Sequence, residues 1–245
     1  MSESINFLIA NFYIIRNMGW IKSMRGGPTG IGYTFESLLG KCEDSLPIPD
    51  FDNIEIKTHR SKSKSYINLF NYNPLGNSSY ELKRIFEKYG YLSVKNKKRK
   101  VLYCSVYSDY IMDVGLNYKF SLRIDYNMRR VYLLIFDRIG NFIEKESYWD
   151  FDTLKEKLYY KMKLLAYVEA DSVYKDNIEY FKYKSITFYR IKGFDCFIDL
   201  LQKGKICVNF KVSGYLDEEL GLIDSHGVSF CIKSSNLNLL YDRIC

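Results

Sequence analysis

The sequence lacks the cysteine spacing that would indicate a zinc site or a compact disulfide framework. Its six cysteines lie far apart and form no CxxC pair, so we expect them to be reduced thiols. It also lacks an apolar run approaching the ~20 residues that cross a bilayer. The N-terminus does not show the basic, apolar and small-residue order of a signal peptide. These absences predict a cytoplasmic protein with no membrane partner.

The sequence does contain an excess of basic residues and a large apolar fraction. Among 245 residues, 36 are Lys or Arg and 29 are Asp or Glu, which gives a formal net charge of +7. The hydrophobic residues make up 47% of the chain, enough to bury the core of one large domain or of two lobes. The positive charge favours a polyanionic partner, with nucleic acid first, without proving one.

The order of apolar and polar residues predicts a mixture of helices and strands. Apolar spacing of three and four residues predicts helices over residues 4–18, 34–39, 78–89, 154–165, 194–202 and after residue 234. Alternation predicts strands over residues 54–58, 101–106, 118–124, 131–136, 166–170, 180–191, 206–213 and 227–232. Ser78 and Glu81 have the spacing of a capping box. We expect an α/β fold, either α+β or mixed, with two lobes that share one sheet and an approximate boundary after Leu165.

Three charged residues beside the strand over residues 54–58 form the most informative pattern. Alternate side chains of a strand point the same way, so Glu55 and Lys57 project together. Asp50 precedes the strand and can turn toward them. Two carboxylates can hold Mg²⁺ through oxygen, and a lysine can orient or deprotonate water or stabilise negative charge. This is the minimum set of groups for hydrolysing a phosphodiester.

Taken alone, this D-x4-E-x-K pattern is weak, because charged residues flank many exposed strands and a solvated strand face also explains them. Its place behind the glycine-rich segment of residues 25–33 strengthens the functional interpretation. Glu36 lies on the short helix that follows, and the backbone amides ahead of it could approach a phosphate. The segment matches neither the P-loop pattern nor the dinucleotide-binding pattern.

Six short segments spread over nearly the whole chain share their order and spacing with one enzyme family: Gly19–Ser23, Thr29–Glu36, Pro49–Asp50, Ile54–His59, Ser147–Trp149 and His226–Phe230. They resemble the MvaI/BcnI type II restriction endonucleases, relatives of the strand-nicking repair enzyme MutH within the PD-(D/E)xK superfamily. The resemblance implies a PD-(D/E)xK core in which Asp50 and Glu55 bind the metal ion. It further implies that Lys57 is the catalytic lysine and that Glu36 has a supporting role.

The same resemblance implies a cleft for DNA between two lobes. Residues 1–165 would form a catalytic lobe on the minor-groove side, and residues 166–245 would form a lobe that reads the major groove. His226 would read a base there, since imidazole can donate to guanine N7 or O6, although a histidine that closes a turn before a glycine is an equal alternative. The loop before it is acidic, which departs from the family. The implied target is a short GC-containing near-palindrome of the CCNGG type.

Other candidate DNA contacts lie in both predicted lobes. Thr29 and Gly30 belong to the segment whose backbone amides could face a phosphate. Tyr33 could approach the minor groove or pack over the glycine-rich segment. Lys211 is a candidate phosphate contact, although a solvated charged face explains many such lysines.

The leading hypothesis is a Mg²⁺-dependent, site-specific endonuclease that acts on double-stranded DNA as a monomer, with a cognate DNA methyltransferase in the same system. One alternative is a MutH-like nickase for repair. Another is a DNA-binding protein with a vestigial nuclease centre, against which the intact set of Asp50, Glu55 and Lys57 argues.

Overall fold

The computed structural model describes residues 3–40, 49–77, 80–215 and 227–244. The helices within this part of the chain are α1 (Glu3–Asn17), α2 (Gly30–Leu38), α3 (Glu81–Tyr89), α4 (Phe151–Met162), α5 (Phe194–Gln202) and α6 (Leu237–Leu240), with a 3-10 helix at Ser234–Asn236 before α6. None of the helices in these ranges combines the length and the apolar character that crossing a membrane requires.

The strands of the described residues are β1 (Ile21–Lys22), β2 (Ile54–Arg60), β3 (Tyr66–Asn71), β4 (Tyr91–Leu92), β5 (Arg99–Val106), β6 (Met112–Val114), β7 (Tyr118–Asp125), β8 (Arg130–Asp137), β9 (Phe142–Glu144), β10 (Tyr148–Asp150), β11 (Leu164–Lys175), β12 (Ile178–Ile191), β13 (Ile206–Tyr215), β14 (Gly227–Lys233) and β15 (Tyr241–Arg243). Mixed helices and strands were expected, and the α/β class is confirmed.

The chain divides into two compact units that alternate along the sequence. Unit 1 comprises Met1–Ser65, Tyr159–Lys192 and Tyr241–Cys245, and unit 2 comprises Tyr66–Leu158 and Gly193–Leu240. A single boundary after Leu165, as the sequence predicts, would therefore cut through unit 1. The reason is that β11 and β12 pair with the N-terminal strands β2 and β1, and β15 from the end of the chain joins the same sheet beside β12.

Unit 1 is built on one five-stranded sheet in the order β1-β12-β11-β2, with β15 added beside β12. The pairing of β2 with β11 is parallel, whereas β12 is antiparallel to β11. On α1, the apolar residues at helical spacing are the buried ones, and they join a core with α2, β2 and β11 that includes Leu8, Phe12, Phe35, Ile54 and Val168. The sheet and this core fix the position of β2.

Unit 2 contains two five-stranded sheets, one in the order β10-β8-β7-β6 with β9 beside β8 and the other in the order β3-β14-β13-β5-β4. Aromatic side chains form its centre: the ring of Trp149 lies 5.7 Å from that of Phe230 and 6.4 Å from that of Phe210. The buried Trp149 Nε1 donates to the carbonyl of Tyr72 at 2.9 Å. This bond satisfies the indole N–H, which would be costly to bury unpaired.

The three sheets correct the expectation that the two lobes share one sheet, because each described sheet takes its strands from a single unit. Two helix predictions also differ from the structure. Helix α2 begins at Gly30, so part of the glycine-rich segment is helical. Helix α4 ends at Met162, and Leu165 lies in β11, where it pairs with Glu55. Ser78 of the predicted capping box lies outside the described residues, and Tyr80 precedes α3 without a side-chain capping bond.

Candidate active site

A tight turn brings Asp50 back to the beginning of β2. Phe51 and Ile54 exchange two backbone hydrogen bonds, of 3.0 and 2.8 Å, and Asp52 between them has a φ of 54°. Asp50 Oδ2 then accepts the backbone N–H of Ile56 at 2.9 Å. The turn thereby holds one carboxylate against the strand that carries the other two charged residues of the predicted site.

Glu55 is the buried centre of this group. Its side chain is only 1% exposed. Its Oε1 forms an ion pair with the Nζ of Lys57, which lies on the same face of β2, as the alternation of the strand predicts. The Nζ of Lys161 lies 3.4 Å from the same oxygen. Glu55 Oε2 is also buried, and it has no hydrogen-bond partner among the described residues. One oxygen therefore faces two ammonium groups, while the other has no hydrogen-bond partner among the described residues.

Burial raises the pKa of Glu55 above its usual 4.5, and the two lysines oppose this shift by favouring the carboxylate. The negative charge of Asp50 adds to the increase, which places the two carboxylates within electrostatic reach of each other. A divalent cation between them would stabilise both charges. The electrostatics of the site thus favour a bound cation.

The donor set fits a hard cation with few protein ligands. No group of three or more His, Cys, Asp or Glu side chains that could hold a metal ion occurs within the part of the chain that the structure describes. Magnesium sites in phosphoryl-transfer enzymes commonly use only one or two carboxylates and complete the coordination with water and substrate phosphate. Asp50 and Glu55, the latter with its unpaired Oε2, would supply those two carboxylates.

Lys161 was not among the predicted site residues. It lies in the last turn of α4, the helix that begins in unit 2 and ends in unit 1. The next strand, β11, pairs with β2, and this pairing returns the end of α4 to the side of Glu55. Sequence spacing gives no signal of this contact, since it depends on a pairing between distant segments.

Glu36 is placed on α2 beside the next part of β2. A Cβ atom added to Gly32 would lie 3.3 Å from Thr58 Oγ1 and 3.6 Å from Glu36 Oε1, so the two side chains flank the same glycine. Burial and the charge of Glu36 both raise the pKa of Tyr183. Thr58 alternates with Lys57 along β2 and points to the other face. The structure thus joins Asp50, Glu55 and Lys57, whereas the supporting role of Glu36 remains a prediction.

The candidate DNA contacts of unit 1 lie where α2 begins. Thr29 is exposed and directly precedes α2. The guanidinium of Arg25 stacks 3.9 Å from the centre of the Tyr33 ring. Arg60, paired with Glu179 at 2.7 Å, donates to the carbonyl of Pro28 at 3.0 Å. These contacts hold the glycine-rich segment against the end of β2.

Gly30 has no room for a side chain, which gives a testable prediction for this segment. A Cβ atom there would meet Arg25 O at 2.4 Å and Ser23 Oγ at 2.6 Å. We expect Gly30→Ala to lower the free energy of unfolding by about 1–3 kcal/mol, because overpacking displaces the backbone. Gly26 is the matched control, since a Cβ there would have nothing within 4 Å. Denaturant unfolding of both variants checks this, and equal effects would contradict it.

Two further residues of interest, His59 and Lys211, belong to the described part of the chain. His59 is buried, its Nε2 is 3.3 Å from Ser65 Oγ, and its ring packs 5.8 Å from that of Tyr167. These contacts give His59 a structural role. Lys211 is exposed on β13 of unit 2. His226 and the acidic loop before it lie outside the described residues.

Comparison with known proteins identifies the family. A model of the MvaI/BcnI restriction endonuclease family matches residues 9–241. The chain also resembles the structure of restriction endonuclease MvaI in complex with cognate DNA, at 30% sequence identity and a TM-score of 0.90, covering 100% of this chain and 98% of the other. For MvaI in the absence of DNA, the identity and coverage are the same and the TM-score is 0.63. The search of curated proteins gave no match.

The similarity to MvaI also tests the predicted type of fold. The match to MvaI over the full chain confirms the predicted PD-(D/E)xK type of fold. It also accounts for the short segments with family spacing, all of which fall within the matched residues. With a family model over residues 9–241 and a full-length structural relative, the chain belongs to the MvaI/BcnI restriction endonuclease family.

Proposed function

We propose that this protein is a type II restriction endonuclease that uses Mg²⁺ to hydrolyse phosphodiester bonds in double-stranded DNA at a specific site. The observation that carries the proposal is the cluster at β2. There the carboxylates of Asp50 and Glu55 and the ammonium group of Lys57 converge, and the buried Glu55 Oε2 lacks a partner among the described residues. Membership in a restriction endonuclease family supports a divalent-metal nuclease in general.

Each residue of the cluster has a separate task in this proposal. Asp50 and Glu55 would hold Mg²⁺, which supplies charge stabilisation at the scissile phosphate when bound. Lys57 would orient the attacking water or stabilise developing negative charge from its position beside Glu55. The turn over Phe51–Ile54 fixes Asp50 before substrate binds, so the geometry is preorganised.

Digestion of a plasmid of known sequence tests the function. We expect discrete fragments with Mg²⁺ and none with EDTA, and sequencing the fragment ends would give the cleavage site. A protein that binds DNA but leaves it intact in Mg²⁺ and Mn²⁺ would contradict the proposal. A protein that only nicks one strand would favour the MutH-like alternative.

The resemblance suggests further details. The target would be a short, GC-containing near-palindrome of the CCNGG type, read in the major groove by unit 2 with His226 and Lys211 as candidates. A DNA methyltransferase of the same specificity would protect the host genome. The neighbour in complex with its cognate DNA supports DNA binding by this chain.

A monomer with one catalytic cluster cuts one strand at a time, which gives a kinetic prediction. Release or reorientation must separate the two cuts, so nicked plasmid should accumulate before linear plasmid at limiting enzyme. A symmetric dimer would instead place one centre on each strand. Agarose-gel time courses with light scattering on DNA check this. Linear product without a nicked intermediate, together with a dimeric mass, would overturn the monomer.

A further inference from the structure

The sheet in the order β3-β14-β13-β5-β4 has two faces of opposite character. On one face, residues such as Val208, Phe210 and Val212 of β13 are fully or almost fully buried in the aromatic core of unit 2. The intervening residues of β13 point to the opposite face. They include the polar residues Asn209 and Lys211. The second face therefore does not belong to the aromatic core.

Four polar residues cross this second face in a single row. Asn209 of β13 pairs with Ser105 of β5 on one side and with Ser229 of β14 on the other, and Ser229 in turn pairs with Asn71 of β3. We call these four residues the polar row. A polar sheet face is usually explained by solvent. Within the row, Asn209 and Ser229 are only 7% and 5% exposed, whereas Ser105 is half-buried and Asn71 is exposed.

The polar row borders a cavity of about 700 Å³ that lies within unit 2. Asn209 and Ser105 contribute to its lining, with Lys211 and Tyr103 paired in the next position along the strands. Its lining also includes Tyr107 and Tyr110, whose rings stack at 4.7 Å. The cavity thus combines a carboxamide and a hydroxyl with an ammonium group, the carboxylate of Asp113 and aromatic surface.

The carboxamide of Asn209 has unused hydrogen-bonding capacity. Within the described residues, its side chain makes one hydrogen bond, in which Oδ1 accepts from the Cys207 thiol at 3.5 Å. A thiol is a weak donor, and the two N–H groups of Nδ2 remain available. Nδ2 is not one of the buried side-chain atoms of the described residues that lack a partner, so it is accessible from the cavity. A side-chain amide with two available N–H groups can bind a ligand.

We infer that Asn209 is a specificity-determining residue that reads the major-groove edge of an adenine in the bound DNA. This rests on the proposed function and assigns a base-reading task to a residue of unit 2. An asparagine matches adenine with two hydrogen bonds, Nδ2–H donating to N7 and Oδ1 accepting from N6. Lys211 is exposed and follows Asn209 on the same face of β13. It would contact a nearby phosphate or guanine.

Selection from a randomised pool of duplexes, carried out in Ca²⁺ and followed by sequencing, tests this without requiring cleavage. We expect the parent protein to select an A·T pair at one position, and Asn209→Ala to reduce that preference roughly tenfold to a hundredfold. Asn209→Asp retains an acceptor and loses the donor, so its preference should shift toward cytosine, whose N4 donates. Asn117→Ala, in an exposed turn of the same unit, should select like the parent.

A modified base provides the second measurement. Duplexes with 7-deazaadenine at that position lack the N7 acceptor, so the parent should bind them more weakly while Asn209→Ala should not distinguish them from adenine. A folded Asn209→Ala variant with the parent's selection profile would overturn the inference, as would a selected site without an A·T pair. Failure of the parent to cut DNA, with its A·T selection intact, would instead overturn only the nuclease function.

Discussion

Replacing Lys57 by Met, or Asp50 by Asn, should abolish DNA cleavage and leave DNA binding nearly unchanged. In the proposed function, Asp50 would hold the metal ion and Lys57 would act at the reacting phosphate, and such groups stabilise the transition state by several kcal/mol. We therefore expect cleavage to fall by at least about a thousandfold. Both variants keep side chains of similar size, and Lys57 is partly exposed, so the fold should survive. Single-turnover cleavage in Mg²⁺ and gel-shift binding in Ca²⁺ measure the two effects.

The matched control for the lysine is Lys175→Met at the exposed end of β11 in the same unit. It removes the same charge at a distance from the cluster, so cleavage should stay close to that of the parent. Near-parental cleavage by Lys57→Met would show that the active site is elsewhere. A loss of DNA binding in step with cleavage would show that the residue holds DNA and has no separate catalytic task.

Replacing Arg84 by Met should lower the free energy of unfolding of unit 2 by more than the replacement of an exposed surface residue does. Arg84 pairs with Glu81 at 2.6 Å and with Glu144 at 2.8 Å, and these carboxylates are only 2% and 8% exposed. Glu144 would keep its ion pair with Lys88, but the buried charge of Glu81 would lose its described cationic partner, at a cost of about 3–5 kcal/mol. Lys83→Met is the control on the same helix, since its pair with Glu87 is exposed and should contribute less than about 1 kcal/mol.

The pH dependence of stability offers a second measurement on the same pair of variants. Burial alone would raise the pKa of Glu144, but hydrogen bonds from Lys88 and Arg84 outweigh it and hold the pKa below the usual 4.5. Its contribution to stability is therefore present above pH 4.5 and lost as the pH falls through the lowered pKa. The difference in free energy of unfolding between the parent and Arg84→Met should therefore become smaller as the pH falls through the lowered pKa of Glu144. A deficit that does not change with pH would contradict the charge argument.

The cluster of charged residues at β2 could be predicted from the sequence because the pattern is local. Alternation along β2 brings Glu55 and Lys57 to one face, and a short turn returns Asp50 to the same strand. Lys161 could not be predicted, because it reaches Glu55 only through the parallel pairing of β2 with β11. The sequence also does not indicate that Glu55 is buried, since a charged residue between apolar neighbours is typical of a solvated strand face as well.

The division of the chain into units was harder to predict from the sequence, for a related reason. Periodicity identifies a strand but not its partner, so it does not show that β11 and β12 return to the N-terminal sheet, and it predicts a boundary after Leu165. The end of α4 shows the same limit. Leu165 continues the helical spacing of Leu154, Leu158 and Met162, yet the chain leaves the helix before it, because β11 begins at Leu164 and pairs with β2.

The interleaving of unit 1 also determines when a newly synthesised chain can become active. The strand that carries Glu55 leaves the ribosome early, but β11, its neighbour in the sheet, follows about 110 residues later. Until then β2 lacks its only described sheet partner, and Lys161 has not been made. Distant pairings of this kind form late because closing a long loop costs entropy. Nascent or prematurely terminated chains would therefore be inert toward the DNA of the cell that makes them.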